Sequence, residues 1–331
     1  MNSLNQNNQK NLFWCKSCLN FSTRNRIKFD DRGFCNACTW SEEKKIIDWE
    51  KRQDTFKELI KSIKKTNRQE FNLIIPVSGG KDGSYVTHIM REKYKLNPLC
   101  VTVNPPLRTS IGHENLENFK KSGIALIEIN PPYEALKKIN KKGLIEQGRP
   151  LYGWTTSIFT GVVRIANAFN IDLIMYGEDG EVEYGGDSSS KNIPFFNYEY
   201  IKKVYLESSS KDSLNELNDN SKYFWNYDEN KCKNLKLSHW SYFESWDPYR
   251  NYLVAKEHMG LKEKDIQNTG TFTNFAQNDT KLYDLHTFFM YIKFGFGRCT
   301  QDVGIDIRRG AMTREQGIQL VNMFDNYFPK E

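Results

Sequence analysis

Three observations in the 331-residue sequence predict an α/β fold, a parallel sheet with helices on both faces preceded by a small metal-binding module. Short apolar runs alternate with amphipathic stretches between residues 71 and 176, one of those runs ends in a glycine-rich turn, and four of the seven cysteines form two Cys-x-x-Cys pairs.

Composition bounds the function. The length suits one large or two modest domains, and 14% aromatic residues restore buried area to a chain only 38% hydrophobic. A net charge of +6 without a long basic block fits an anionic small substrate at least as well as nucleic acid. No window approaches a membrane span, and Met1 to Asn11 lacks the apolar core of a signal peptide, so a cytoplasmic protein is expected.

Residues 1–11, rich in Asn and Gln, read as a disordered tail. In the module at 12–45, Cys15-x-x-Cys18 and Cys35-x-x-Cys38 are separated by sixteen residues, a spacing that places four thiolates around one structural zinc ion, with a small hairpin over Arg24 to Phe34. Four sulfur ligands leave no coordination position open to water, so the metal is expected to hold fold and do no chemistry. Ile46, Trp49, Phe56, Leu59, Ile60 and Ile63 then recur at helical spacing within Ser41 to Arg68, a connecting helix assigned to 46–70.

The α/β domain is assigned to 71–200. Phe71 to Val77 reads as a buried strand, and Ser78-Gly79-Gly80-Lys81-Asp82-Gly83-Ser84 as a turn into a helix. Unpaired backbone N–H groups and a helix N-terminus meet there, which makes an anion cradle. The spacing is neither Walker A nor dinucleotide-binding; it resembles the pyrophosphate loop of ATP pyrophosphatases, which split ATP into AMP and pyrophosphate. Gly83 intervenes where that pattern has Ser, which leaves open whether Ser78 or Ser84 touches phosphate.

Further strands are expected at Leu99 to Val103, Ile124 to Ile129 and Ile171 to Tyr176, with helices over Glu114 to Lys121, Pro131 to Gln147 and Thr155 to Phe169. In a parallel sheet the ligand lies at the carboxyl ends of the strands, so the loops after residues 77, 103 and 176 should converge. Thr102 and Val103 would then offer backbone to adenine, and Gly177 would admit a ribose. The acidic run Glu178-Asp179-Gly180-Glu181-Val182-Glu183 holds Mg²⁺, positions a nucleophile, or is a solvated turn.

Residues 201–331 are assigned to a mostly helical substrate-binding region, with a surface loop at Asp212 to Ser221. His286 falls on a helix, Leu282 to Ile292, as a core histidine, and Thr313 to Gln316 forms a capping box. Arg298, Arg308 and Arg309 suit an anion clamp, with salt bridges to Asp302 or Asp306 as the alternative. Glu181 and Asn274 join them as candidate substrate contacts.

Taken together, Ser78 to Tyr85, Tyr176 to Glu183, Trp246 to Tyr252, Thr269 to Asp279 and Lys293 to Arg309 make the chain resemble the N-acetyl sugar amidotransferase family from Cys15 to Asp325. The resemblance implies an adenine nucleotide alpha hydrolase-like, PP-loop ATP pyrophosphatase fold, and conversion of an acetamido group to an acetamidine in lipopolysaccharide, O-antigen or flagellar glycan biosynthesis. ATP, Mg²⁺ and structural Zn²⁺ are the implied cofactors. Lys81, Asp82, Glu178 and Asp179 are the expected catalytic groups, with Asp82 on magnesium. None of Cys100, Cys232 and Cys299 sits in a glutaminase-like context, so separate glutaminase and cyclase-like subunits are expected to supply ammonia to a nucleotide-linked or free sugar. Two rivals are a tRNA-thiolating PP-loop enzyme and a non-catalytic module that binds zinc and nucleotide.

Overall fold

The computed structural model describes residues 12–66, 70–197, 199–200, 217–226 and 229–330. The expected tail at 1–11 and the Asp212 to Glu216 part of the expected surface loop lie outside them.

The sheet has five parallel strands in the order β3-β2-β1-β4-β5. They are β1 (Leu73–Pro76), β2 (Pro98–Val103), β3 (Ala125–Ile129), β4 (Leu173–Tyr176) and β5 (Lys236–His239). Alternation along the strands builds two cores. Leu73, Ile75, Cys100 and Met175 face one side, under α2 (Trp49–Thr66) and α3 (Lys81–Glu92); Ile74, Leu99, Val101 and Ile174 face the other, under α6 (Tyr152–Ala168). Helices on both faces are therefore a consequence of strands with no polar side, as the sequence predicts.

Two expectations need correction. The helix expected from Ser41 to Arg68 is two helices, α1 (Asn36–Glu43), which starts inside the cysteine module, and α2, whose Trp49 indole donates to the Lys44 carbonyl across the break at 3.0 Å. The boundary expected at residue 200 does not separate sheet from helices, because β5 lies beyond it and pairs with β4 from Leu173↔Lys236 to Tyr176↔His239. Its short Lys-Leu-Ser-His run carries no long apolar signal, and only the neighbouring strand makes it a strand.

Further helices, apart from short turns at Asp219–Lys222, Glu229–Cys232 and Trp240–Tyr242, include α4 (Ser110–Lys121), α5 (Tyr133–Gln147), α7 (Gly180–Tyr184), α8 (Pro248–Met259), α9 (Leu282–Phe294), α10 (Arg298–Arg308) and α11 (Arg314–Phe324). Asp247 caps α8, accepting from the Tyr249 and Arg250 amides, and α8 packs along α3. The expected capping box of α11 is present between Thr313 and Gln316. His286 is half-buried, and desolvation and then Arg149 push its pKa down to about 4.

Candidate active site

β1 sits where the strand order reverses, with β2 on one side and β4 on the other, so its loop opens at the switch point of the sheet. Gly79 turns the chain with φ +84°, and a Cβ there would stand 2.8 Å from the Leu116 backbone nitrogen. Gly79→Ala is therefore expected to lower stability by at least about 1–2 kcal/mol, from the left-handed backbone before any clash, read by urea unfolding. Gly80 is the N-cap of α3 and offers no side chain to the free amides of its first turn. The inserted Gly83 has a packing reason: a Cβ would meet Val77 Cγ1 at 3.1 Å and the Pro76 carbonyl oxygen at 3.2 Å, so glycine lets the helix start lie directly on the end of β1. Ser84 is buried in the helix with its amide on the Gly80 carbonyl at 3.2 Å, whereas Ser78 at the turn hydrogen bonds to Asp279.

Charged groups gather around this turn. Lys81 pairs with one oxygen of Asp82, and the other, Oδ1, is buried without a partner. Gly177, at the end of β4, lies against Asp82: its missing Cβ would be 3.1 Å from the Asp82 Cβ and from the Trp246 ring. Glu178 follows, accepting from the Tyr184 hydroxyl at 3.1 Å. Burial, then the Asp82 charge, push the Glu178 carboxyl up to about 7. Asp279 is pushed up to about 6, again chiefly by burial.

Those two shifts carry a sign. Each carboxyl keeps its proton in the folded chain at pH values where the unfolded chain has lost it, so the stability it contributes is present below about pH 4 and is lost as pH rises through 6 to 7. In magnesium-free buffer, Glu178→Gln is expected to flatten the fall of unfolding free energy between pH 5 and pH 8. Parallel pH profiles for variant and parent would contradict the shift.

A cavity of about 290 Å³ is lined by Lys81, Tyr184, the aromatic side chains of Tyr249, Tyr252, Phe272 and Phe275, and the polar groups of Asn274, Arg298, Asp302, Asp306 and Arg309. Two structures build its far wall. Residues 269–281 are tied to α10 by Thr271 and Thr273, whose hydroxyls donate to Asp302 at 2.6 and 3.1 Å. The start of α10 is held by Asp325, which accepts from the Gly297 and Thr300 amides at 2.6 and 3.0 Å. Arg298 donates to Asp302 at 3.0 Å, and Arg309 reaches Asp306 at 3.4 Å and Asp247 at 3.5 Å, so these two arginines both line the cavity and form ion pairs.

Other expected site residues are placed elsewhere. Asp179 caps α7 with one oxygen, accepting from the Glu181 and Val182 amides, and takes the Ser190 hydroxyl at 2.6 Å on the other, so it is a structural cap and not a free carboxylate. Glu181 forms a fork with Arg26 at 2.9 and 2.7 Å, outside the cavity. Arg308 turns toward the cysteines, where burial opposes its charge and the negative sulfurs of Cys18, Cys35 and Cys38 outweigh it, and donates to the Glu183 carbonyl at 3.1 Å. Thr102 is buried within the sheet, and the Val103 carbonyl accepts from the Trp154 indole at 2.8 Å, which occupies one of its two lone pairs. Asp279, Tyr184 and the four aromatic rings were not assigned roles by sequence. The signal for Asp279 and two of the rings lay in the polar, aperiodic run Thr269 to Asp279.

Cys15, Cys18, Cys35 and Cys38 are buried, with their sulfurs all within 4.8 Å of one another. Measured pairs are 3.8 Å for Cys15 and Cys38, 3.5 Å for Cys18 and Cys35 and 3.7 Å for Cys35 and Cys38. Tetrahedral Zn–S bonds of about 2.3 Å put sulfurs about 3.8 Å apart, so the set fits zinc. Hydrogen bonds from Cys15, Cys35 and Cys38 hold the Cys18 thiol well below its ordinary range.

The chain is thus the parallel α/β sheet that the sequence predicts, with a Ser-Gly-Gly-x-Asp turn at its switch point and a four-cysteine module ahead of it. Residues 269–331, which include the segment tied to α10, match the family model of the C-terminal domain of WbpG-like LPS biosynthesis proteins. An uncharacterized protein of Methanocaldococcus jannaschii is 30% identical over 124 residues, 37% of this chain and 44% of that protein, so the chain spans less than half the length of this relative. Among solved structures, the NH3-dependent NAD synthetase of Campylobacter jejuni aligns with 14% identity over 49% of this chain and 76% of its own, at a TM-score of 0.31. A U34-tRNA thiolase of Methanococcus maripaludis, solved with its 4Fe–4S cluster, aligns with 14% identity over 82% of each chain, at a TM-score of 0.34. Among the described residues no helix is long and apolar enough to cross a membrane.

Proposed function

We propose that the chain is an ATP-dependent, AMP- and pyrophosphate-forming amidotransferase that converts the acetamido group of an N-acetyl sugar, nucleotide-linked or free, into an acetamidine for surface-polysaccharide biosynthesis. The observation that carries this reading is the shared cavity, in which Lys81 of the phosphate loop faces a wall of four aromatic rings with Asn274 and Arg298 among them. A triphosphate on the loop would meet a substrate whose apolar faces suit aromatic rings and whose hydroxyls suit the polar groups. The LPS biosynthesis family match over residues 269–331 covers part of that wall.

An amide oxygen is a poor leaving group until it is adenylated. The sugar amide oxygen attacks the α-phosphorus, and pyrophosphate leaves into the cradle of Ser78 to Ser84, where backbone N–H groups and Lys81 meet its charge. Ammonia then adds to the imidate carbon, and AMP departs with the former amide oxygen. The orphaned Asp82 oxygen beside the buried Glu178 fits a divalent cation, which when bound would neutralise phosphate charge. Ammonia would come from a separate glutaminase.

The test is direct. With ATP, Mg²⁺, ammonium and a panel of acetamido sugars, the purified chain is expected to release AMP and pyrophosphate and to yield a product whose mass corresponds to the amidine. Release of ADP and phosphate would overturn the loop assignment. A tRNA-thiolating enzyme would need a cysteine pair at the loop, whereas Cys100, Cys232 and Cys299 lie in three separate core clusters. Tight, salt-sensitive retention of tRNA would favour that rival.

A further inference from the structure

We propose that Asn20, a residue of the four-cysteine module, is a positioning residue for Glu178 and acts through Tyr184. The inference rests on reading the Lys81 cavity as the reacting site. Asn20 is 2% exposed, and its Nδ2 donates to the Cys35 sulfur at 3.4 Å and to the Tyr184 carbonyl at 3.1 Å. Both neighbours are acceptors, which settles the orientation of the amide: nitrogen, with its two hydrogens, must face them. Tyr184 in turn donates its hydroxyl to Glu178 at 3.1 Å and lines the cavity beside Lys81. A chain of three contacts therefore runs from a sulfur of the metal site to the carboxylate beside the phosphate loop.

The segment that carries Tyr184 has little to hold it in place by itself. α7 is five residues long, too short to be stable from its own hydrogen bonds. The module grips it instead. Arg26 forks Glu181, the Trp40 indole and Lys44 each donate to Glu183 at 2.8 Å, and Asn36 donates to the Gly186 carbonyl. Most of these grips act on the ends of long side chains, which can turn without moving the backbone. Asn20 holds the backbone of Tyr184, whose hydroxyl donates to Glu178. Gly185 admits it: φ is +89°, and a Cβ there would stand 2.8 Å from the Asn20 amide nitrogen.

Asn20→Leu removes both donated hydrogen bonds and leaves the four sulfurs in place. It is expected to keep zinc at the parental stoichiometry, to speed hydrogen exchange of the amides at 180–186 but not those of α3, and to lower kcat about tenfold with the KM for ATP unchanged. Asn20→Gln, which retains the amide, should restore part of the kcat. Tyr184→Phe should lower kcat to a similar extent without any change in exchange at 180–186, because the backbone grip remains. Unchanged exchange in Asn20→Leu would overturn the proposal, as would loss of zinc, which would make Asn20 a support of the metal, or full kcat in Tyr184→Phe. If the parent turned over no acetamido sugar, the proposed function would fall, and the exchange measurement would still decide the grip.

Discussion

Asp82→Ala is expected to lower kcat by more than about 10³-fold while shifting the melting temperature by no more than about 2 °C. The size follows from what Asp82 does. Its carboxylate pairs with Lys81 on one oxygen and presents the other, buried and unpartnered, beside Glu178 at the mouth of the phosphate cradle. Removing one preorganised charge at a site where charge develops typically costs two to three decades of rate. Here the loss also frees Lys81 to move and deprives a divalent cation of its candidate ligand. The small effect on stability has its own reason. Asp82 repels Glu178 and keeps one buried oxygen unpartnered, so its removal relieves both of these while it leaves the largely buried Lys81 without its partner. Asp82→Asn separates charge from shape, and an equal loss would assign the effect to charge. Retention of activity within tenfold of the parent would move pyrophosphate departure away from this loop.

Cys15→Ser, or stripping the metal with a strong chelator, is expected to lower the melting temperature by at least about 10 °C, measured by calorimetry with zinc content followed in parallel. The module has little else to stand on. Its core is the four cysteines with Ala37 and a few half-buried side chains, and its hairpins consist of single bridges, Trp14↔Phe21 and Phe29↔Cys35. An isolated ladder of that size does not hold its own shape. Because α7 is gripped from the module, activity should fall with the fold. A stable, zinc-free and inactive Cys15→Ser protein would give the metal a role in the chemistry; a stable, zinc-free and active one would remove its structural role.

Much of this was legible in the residues. The strands β1, β2 and β4 appear as short apolar runs because each is covered on both faces, and a run buried on both faces cannot alternate; β3, half-buried at the edge, keeps a mostly apolar run. The paired cysteines and the glycine turn are local patterns whose chemistry depends on spacing alone. Less legible were elements whose identity depends on a distant neighbour. β5 is a strand because β4 lies beside it. The acidic run looked like one functional unit, yet its members divide: Glu178 faces the loop, Asp179 caps a helix, and Glu181 and Glu183 tie the cysteine module down. No property of four nearby carboxylates in a sequence separates these roles.

The sequence by itself determined four of the five strands, the glycine turn and the paired cysteines, because each is dictated by interactions within a few residues or by the burial of one continuous run. Tertiary structure alone decided which groups share the cavity. Lys81, Tyr184, Tyr252, Asn274 and Arg298 come from five separate parts of the chain, and they meet because α8 packs on α3 and because Asp302 and Asp325 lock the 269–281 segment and α10 in place. It also decided what Gly83 is for. An added residue in a phosphate loop reads as a question about phosphate, and the physical answer is the closeness of the Pro76 carbonyl and Val77, 3.1 to 3.2 Å from where a Cβ would stand, which makes any side chain tight where the helix leaves the strand.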